Sequence, residues 1–269
     1  MTQDTTAIVA QHLAQAAAAA LPEEVAEKTR LHLLDTLAAM ISGQALKAGI
    51  RARSYVMSYA GTGAGRASLP GTALWLPPVE AAFAGAMAAH ADETDDSHLA
   101  GRFHPGCAVV PAALAVAEHR GLSGTALLRG IAAYWQRDHE HVEKAFDFGG
   151  MGARNGVFAA LFVASGASGC DGALTGPHSY LSAFAERADP GALADGLGQQ
   201  FEIMRGSIKK WCVGSPIQAA LDAVTALIAD HGIGADDVAA LRAIMPDDRL
   251  PIVDGRDMPD ICLQHLLAI

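Results

Sequence analysis

The strongest constraint on the fold lies in residues 90–118, HADETDDSHLAGRFHPGCAVVPAALAVAE, where three histidines and four acidic residues fall within fifteen positions beside apolar sequence. Such groups are costly to bury unless paired, so this density between apolar runs is better explained by a site than by packing. Upstream, Pro77 and Pro78 open a helix that reaches about His90, with proline in the first turn as helix geometry allows. Downstream, His104-Pro105-Gly106 forms a turn, and an apolar helix runs from about Cys107 to His119. The polar cluster is therefore expected as a loop between two helices, the kind of segment that commonly carries function.

Most of the remaining sequence also reads as helix. Residues 5–20 are alanine-rich, and Pro22 opens a second helix in which Val25, Thr29, Leu33, Leu37 and Met40 keep a three-to-four-residue spacing until Gly43 ends it. GTGAGRASLPG, from Gly61 to Gly71, is expected as a loop. No strand precedes its glycines and no P-loop lysine-serine pair follows, so it is not read as a nucleotide site. Ser123 suits the N-cap of a further helix. YWQRDHEHVEKAFDFGGMG, starting at Tyr134, is a second polar connection before a helix over Ala153 to Ala164. Strand-like runs over Val238 to Val253, broken by MPDD, point to a small α+β segment beginning near Lys209, and PDICLQHLLAI starts a last apolar helix.

With 51% apolar and 18% charged residues, a chain of 269 residues can bury a sizeable core. A net charge of -10 and only 19 Lys and Arg residues exclude a general nucleic-acid binder, so an anionic ligand requires cations gathered locally. Cys107, Cys170, Cys212 and Cys262 form no C-x-x-C pair and read as reduced thiols. There is neither a basic, apolar leader nor a run of about 18 apolar residues, so the expectation is a soluble, cytoplasmic protein that does not enter a membrane.

Several chemistries fit the cluster to different degrees. His90, Asp92, Glu93, Asp95, Asp96, Ser97, His98 and His104 include suitable metal ligands, but no H-x-x-x-H or comparable spacing is present, and no metal is assigned. The D-x-x-D-D of Asp92 to Asp96 loosely resembles the aspartate-rich diphosphate motif of all-helical terpenoid synthases, although here it shares a loop with histidines. Metal-free acid–base chemistry suits these residue types best: one group removes a proton beside a substrate carboxylate, a histidine protonates the departing hydroxyl, and lysines offset the charge. An exposed acidic loop with capping aspartates is the simpler alternative. Basic residues collect later at Arg137, His139, His141 and Lys144, then at Arg154, Lys209 and Lys210. The apolar neighbours Ile208, Trp211 and Val213 imply that one of these last two ammonium groups is partly buried and needs an anion, from substrate or from protein. Arg154 lies near a helix start, a geometry that suits anions as well as an ordinary helix beginning.

The segment from His90 resembles the hallmark of the MmgE/PrpD family, roughly H-A-x-D-F-D-D-T-H followed by H-P and a helix rich in P-A-A-L-A. LHLLDTLAAMISG, LPPVEAAFAGAMAAH, EHVEKAFDFGGMGARNGVFAA and IKKWCVGSPIQAALDA extend the resemblance through most of the chain. It implies a mainly α fold: a large all-helical domain, residues 1–205, followed by the start of a smaller α+β lid domain, residues 206–269, with the site between them. The family includes 2-methylcitrate dehydratase, cis-aconitate decarboxylase and iminodisuccinate epimerase. The resemblance therefore implies a cofactor-free lyase acting on a small di- or tricarboxylate, usually as a homodimer.

Carried over by position, His104, Glu93 (for the usual Asp), Asp96 and Lys144 are the expected catalytic groups. Ser97 (for the usual Thr) and Lys209, likewise carried over, are expected substrate-binding groups, and the residue types of His98, Arg154 and Lys210 add these three to that set. The chain departs from the family pattern near Ala133 and Tyr134, where a helical stretch bearing a further active-site histidine is expected and the flanking segments are joined almost directly. Gly214 stands near the place of another histidine. Much of the lid and its returning helices is also expected to be missing, leaving apolar faces exposed. A shortened chain of this kind admits a second expectation, a non-catalytic helical remnant that dimerises or binds a partner.

Overall fold

The computed structural model describes residues 5–16, 19–60, 65–98, 103–123, 144–169, 171–176, 179–184, 187 and 189–269. Arg137, His139, His141, Cys170 and the Ala133–Tyr134 junction lie outside them. The architecture is mainly α. The principal helices are α1 (Thr5–Ala16), α2 (Glu23–Gly43), α3 (Lys47–Ala60), α4 (Pro78–Ala89), α5 (Pro105–Arg120), α6 (Met151–Ala164), α7 (Gln218–His231) and α8 (Leu263–Ala268).

The centre of the core is α4, whose sequence PVEAAFAGAMAA is apolar almost all round and buried along nearly its whole length. Helices α2, α3, α5 and α6 pack around it. Its many small residues let neighbouring backbones come close. The closest approach is at Gly43, where an added Cβ would lie 1.9 Å from the carbonyl oxygen of Ala88. Met40, Val56, Phe83, Met87 and Val157 fill the space between these helices. On α2 the buried stripe is Val25, Thr29, His32, Thr36 and Met40, while Leu31 and Leu34 are exposed. Polar side chains thus occupy core positions on this helix.

Two antiparallel strand pairs complete the helical part. Strand β1 (Ala67–Ser68), inside the segment expected as a loop, pairs with β2 (Trp75–Leu76). Leu69 and Leu76 are fully buried there, and the Glu118 carboxylate accepts hydrogen bonds from the Ser68 backbone N–H (2.6 Å) and hydroxyl (2.8 Å). Strand β3 (Ser97–His98) pairs with β4 (Gly206–Ser207), joining the polar loop to the C-terminal segment. A single π-helical stretch, Phe146–Gly150, leads into α6 and packs against α4.

The C-terminal segment has its own small core of Val213, Ile217, Val253 and Leu263. The strands expected over Val238 to Val253 are not formed. Val238, Leu241 and Ile244 are exposed in extended chain with no neighbouring strand to accept their backbone hydrogen bonds, and Leu250–Val253 closes into a helical turn. Exposed apolar side chains are frequent, among them Ile41 on α2, Tyr55 on α3, Phe158 and Phe162 on α6, and Leu227 and Ile228 on α7. No helix among the described residues is long and apolar enough to cross a membrane.

The α2–α4 contact supplies a direct test of this packing. A methyl group at Gly43 meets main chain, which cannot rotate away. Gly43→Ala is expected to destabilise the fold by about 1–3 kcal/mol, read as a lower urea midpoint in far-UV circular dichroism, despite alanine's better helix propensity.

Candidate functional site

Helix α4 ends at His90, and the chain crosses to α5 through residues 91–104 before Pro105 starts the next helix. Asp96 fixes this crossing. One carboxylate oxygen lies 2.7 Å from His32 Nδ1 on α2, the other accepts the Gly106 N–H at 2.8 Å, and its main-chain carbonyl is 2.6 Å from His104 Nδ1. The approach depends on glycine: a Cβ at Gly106 would lie 2.5 Å from Thr36 Oγ1 and 2.8 Å from Asp96 Oδ1.

Because a carbonyl oxygen can only accept, His104 Nδ1 must carry hydrogen, and in the neutral ring Nε2 then holds the lone pair. Burial pushes the His104 imidazolium down, against the opposing pull of Asp95. The Nε2 side of the ring faces the Glu93 carboxylate at 3.5 Å. Asp95 is fully buried and accepts from His90 Nδ1 at 2.9 and 3.0 Å, and the His90 ring stacks flat on Phe148 at a centroid distance of 5.1 Å. The π-helical turn before α6 delivers Phe148 to this position.

Glu93 is the electrostatic hub. It adopts φ +62°, a left-handed conformation that a non-glycine residue holds only when its surroundings impose it. Here Lys144 contacts its carboxylate, Lys209 Nζ lies 3.8 Å from the same group, and Lys209 also donates to the Glu93 carbonyl. Two ammonium groups therefore share one carboxylate. Burial, then Lys209 and Arg256, push the Lys144 ammonium down to about 7. Burial also lowers Lys209, with Asp95 and Asp96 opposing.

These groups border a cleft of about 1180 Å³. Glu93, Ser97, His98, His104, Lys144 and Phe148 line one wall, and Ser215, Arg242, Arg249 and Arg256 contribute to the rest. Ser97 Oγ is 2.6 Å from Ser215 Oγ, a bond across the cleft, and His98 Nε2 is 2.9 Å from Glu202. Among the described residues neither Arg242 nor Arg256 is in an ion pair, so their charges are available to a ligand.

The remaining candidates lie elsewhere. Asp96 is buried beneath the site and does not line the cleft. Arg154 is exposed on α6 beside Asn155. Lys210 is exposed, bonded to Asp222 at 2.6 Å and placed over the Trp211 ring. Of the adjacent lysines, then, Lys209 is the buried one.

Among the described residues two sets of ligand atoms are close enough to share a cation: His90, Asp95 and Cys107, and His90, Glu93 and His104. Burial pushes the Cys107 thiol well up, and it donates to the His104 carbonyl at 3.2 Å, so the thiolate a metal needs is disfavoured. In the second set Glu93 is already held by Lys144 and Lys209, whose charges repel a cation.

A family model described as the MmgE/PrpD N-terminal domain matches residues 7–136. The match supports membership of the MmgE/PrpD family. No curated protein matches it. The matched segment spans α1 to α5 and so includes the family's hallmark loop from Glu93 to His104, together with His32 and Asp35 beneath it. Lys144, Phe148, Lys209 and the three cleft arginines lie beyond the match.

Sequence reasoning overlooked His32, Asp35, Phe148, Ser215 and the arginines. His32 carried a usable signal, since it sits three residues after Thr29 and four before Thr36 on one helical stripe. Asp35 lies one turn further along, and its Oδ2 is buried without a hydrogen-bond partner among the described residues.

Desolvation, followed by the charges of Asp96 and Asp95, pushes the Asp35 carboxyl up to about 6. Its folded pKa exceeds its unfolded value, so the protonated form favours folding. Stability falls as pH rises from about 4 to about 6, and the loss persists above that range. Asp35→Asn is therefore expected to stabilise the protein at pH 7.5 by the order of 1 kcal/mol, allowing for solvent screening of this half-buried group. At pH 4 the gain should vanish. Thermal unfolding at the two pH values measures the difference.

Proposed function

We propose that the protein is a lyase of the MmgE/PrpD type that adds or removes water across a carbon–carbon bond of a small di- or tricarboxylate such as 2-methylcitrate. The observation that carries this reading is His104, its Nδ1 on the Asp96 carbonyl and its Nε2 side facing Glu93, in a cleft that Lys144, Arg242, Arg249 and Arg256 also line. A base next to ammonium and guanidinium groups suits removal of a proton α to a carboxylate, because those charges stabilise the negative charge that develops on the substrate oxygens.

In the dehydration direction, His104 Nε2 accepts the proton as the C–H bond breaks. The electron pair forms the new double bond and the C–O bond to the hydroxyl breaks. Lys144 gives its proton to the departing hydroxyl, and water leaves. A pKa of about 7 lets Lys144 donate in this direction and accept in the reverse. The imidazolium formed on His104 is stabilised by Glu93 at 3.5 Å and Asp95 at 3.6 Å. Substrate carboxylates replace Glu93 as the partner of one ammonium group, and Arg242, Arg249 and Arg256 suit the second or third carboxylate.

The same reading favours a cytoplasmic protein. It also favours a homodimer, since the exposed Phe158, Phe162 and Val163 on α6 form an apolar face of the kind that associates.

The test incubates purified protein with 2-methylcitrate or cis-aconitate and follows alkene absorbance. Turnover is expected, and His104→Ala should lower kcat/KM by about 10²–10⁴-fold while leaving citrate-induced thermal stabilisation in place. Folded protein that neither turns over nor is stabilised by millimolar citrate overturns the reading.

A further inference from the structure

We infer that His32, buried on α2 and outside the cleft, is a positioning residue that fixes the tautomer of His104 through Asp96. This rests on His104 being the proton acceptor, which requires a free lone pair at Nε2.

The linkage is continuous and specific. His32 Nδ1 donates to Asp96 Oδ2 at 2.7 Å, with 3% of the His32 side chain and 2% of the Asp96 side chain exposed. The Asp96 carbonyl then accepts from His104 Nδ1 at 2.6 Å, and Asp96 Oδ1 accepts from the Gly106 N–H at the start of α5. Asp96 is thus held by its side chain at both carboxylate oxygens and holds the His104 ring with its main chain. Without His32, half of a buried carboxylate loses its partner, and the Asp96 carbonyl is no longer aimed by a rigid helix.

The tautomer matters because His104 has acceptors on both sides. Asp96 and Asp95 lie on the Nδ1 side, the latter at 3.6 Å, and Glu93 lies on the Nε2 side at 3.5 Å. If the Asp96 carbonyl drifts, a proton on Nε2 gains the Glu93 carboxylate as acceptor, and the lone pair turns away from the cleft. The other titratable groups around the ring have partners other than His32, Lys144 and Lys209 at Glu93 and His90 at Asp95, so a change in tautomer reports on the Asp96 link.

Asparagine and glutamine separate the two roles His32 can play. The amide N–H of asparagine falls near the position of Nδ1, whereas that of glutamine falls near Nε2. Nitrogen chemical shifts of His104, assigned by the loss of its signals in His104→Asn, give the tautomer ratio at neutral pH. The Nδ1–H form should dominate in the wild type and in His32→Asn. In His32→Gln and His32→Ala the Nε2–H fraction should rise by about fivefold, the effect of losing one ordinary hydrogen bond. Equal ratios in His32→Asn and His32→Gln overturn the inference, and so does failure of His32→Asn to fold, since His32 would then be only a core residue. The readout needs no turnover, so an inactive protein with the expected tautomers defeats the proposed reaction and leaves the positioning role standing.

Discussion

A buried carboxylate organises this molecule. His32 on α2 and the Gly106 N–H at the start of α5 converge on the Asp96 carboxylate, and that convergence brings three chain segments into register. Leaving such a charge without one of its partners costs about 3–5 kcal/mol, a substantial share of a typical domain's total stability. The polar loop is therefore not a flexible connection draped over helices. The geometry of its described residues, 91–98 and 103–104, follows from satisfying the Asp96 carboxylate in the core, and the orientation of His104 is one product of that satisfaction.

The site above has the opposite electrostatic character. Glu93 and Asp248 are the carboxylates that line the cleft among the described residues, against Lys144, Arg242, Arg249 and Arg256, so the cleft carries surplus positive charge inside a protein whose net charge is -10. Acidic groups dominate the loop sequence, yet Asp95 and Asp96 are consumed internally by His90, His32 and His104. Composition and local function therefore differ in sign. Carboxylates build the support, and cations face the cleft.

Much of this was legible in the sequence and some was not, for physical reasons. Proline at the helix starts and glycine at Gly43 gave α2 and α4 nearly to the residue, because those signals act within a turn or two. The family's hallmark marked Glu93 and His104, which the fold brings together. It could not distinguish Asp96 from its neighbours, because burial depends on α2, more than fifty residues away in the chain. Lys209 and Lys210 are adjacent and alike in type, but the pairing of β4 with β3 leads the first towards Glu93 and the second out to Asp222. The strand-like run after Val238 misled for a related reason: apolar, β-branched residues make a strand only where another strand supplies the hydrogen bonds.

The two walls of the cleft also differ in what they can contribute. The His104 wall stands on α4 and α5, whose facing sides are tightly buried, so its groups are held by packing as well as by hydrogen bonds. The opposite wall rests on the small core around Ile217 and Val253, and α7 beside it buries no residue completely. Charge does not need the same positional accuracy as proton transfer, because Coulomb attraction varies slowly with distance whereas a proton moves only along a short hydrogen bond. A loosely packed wall of arginines facing a rigid wall bearing the histidine is therefore a workable division for the proposed reaction, in which the first would collect an anion and the second would determine where its proton goes.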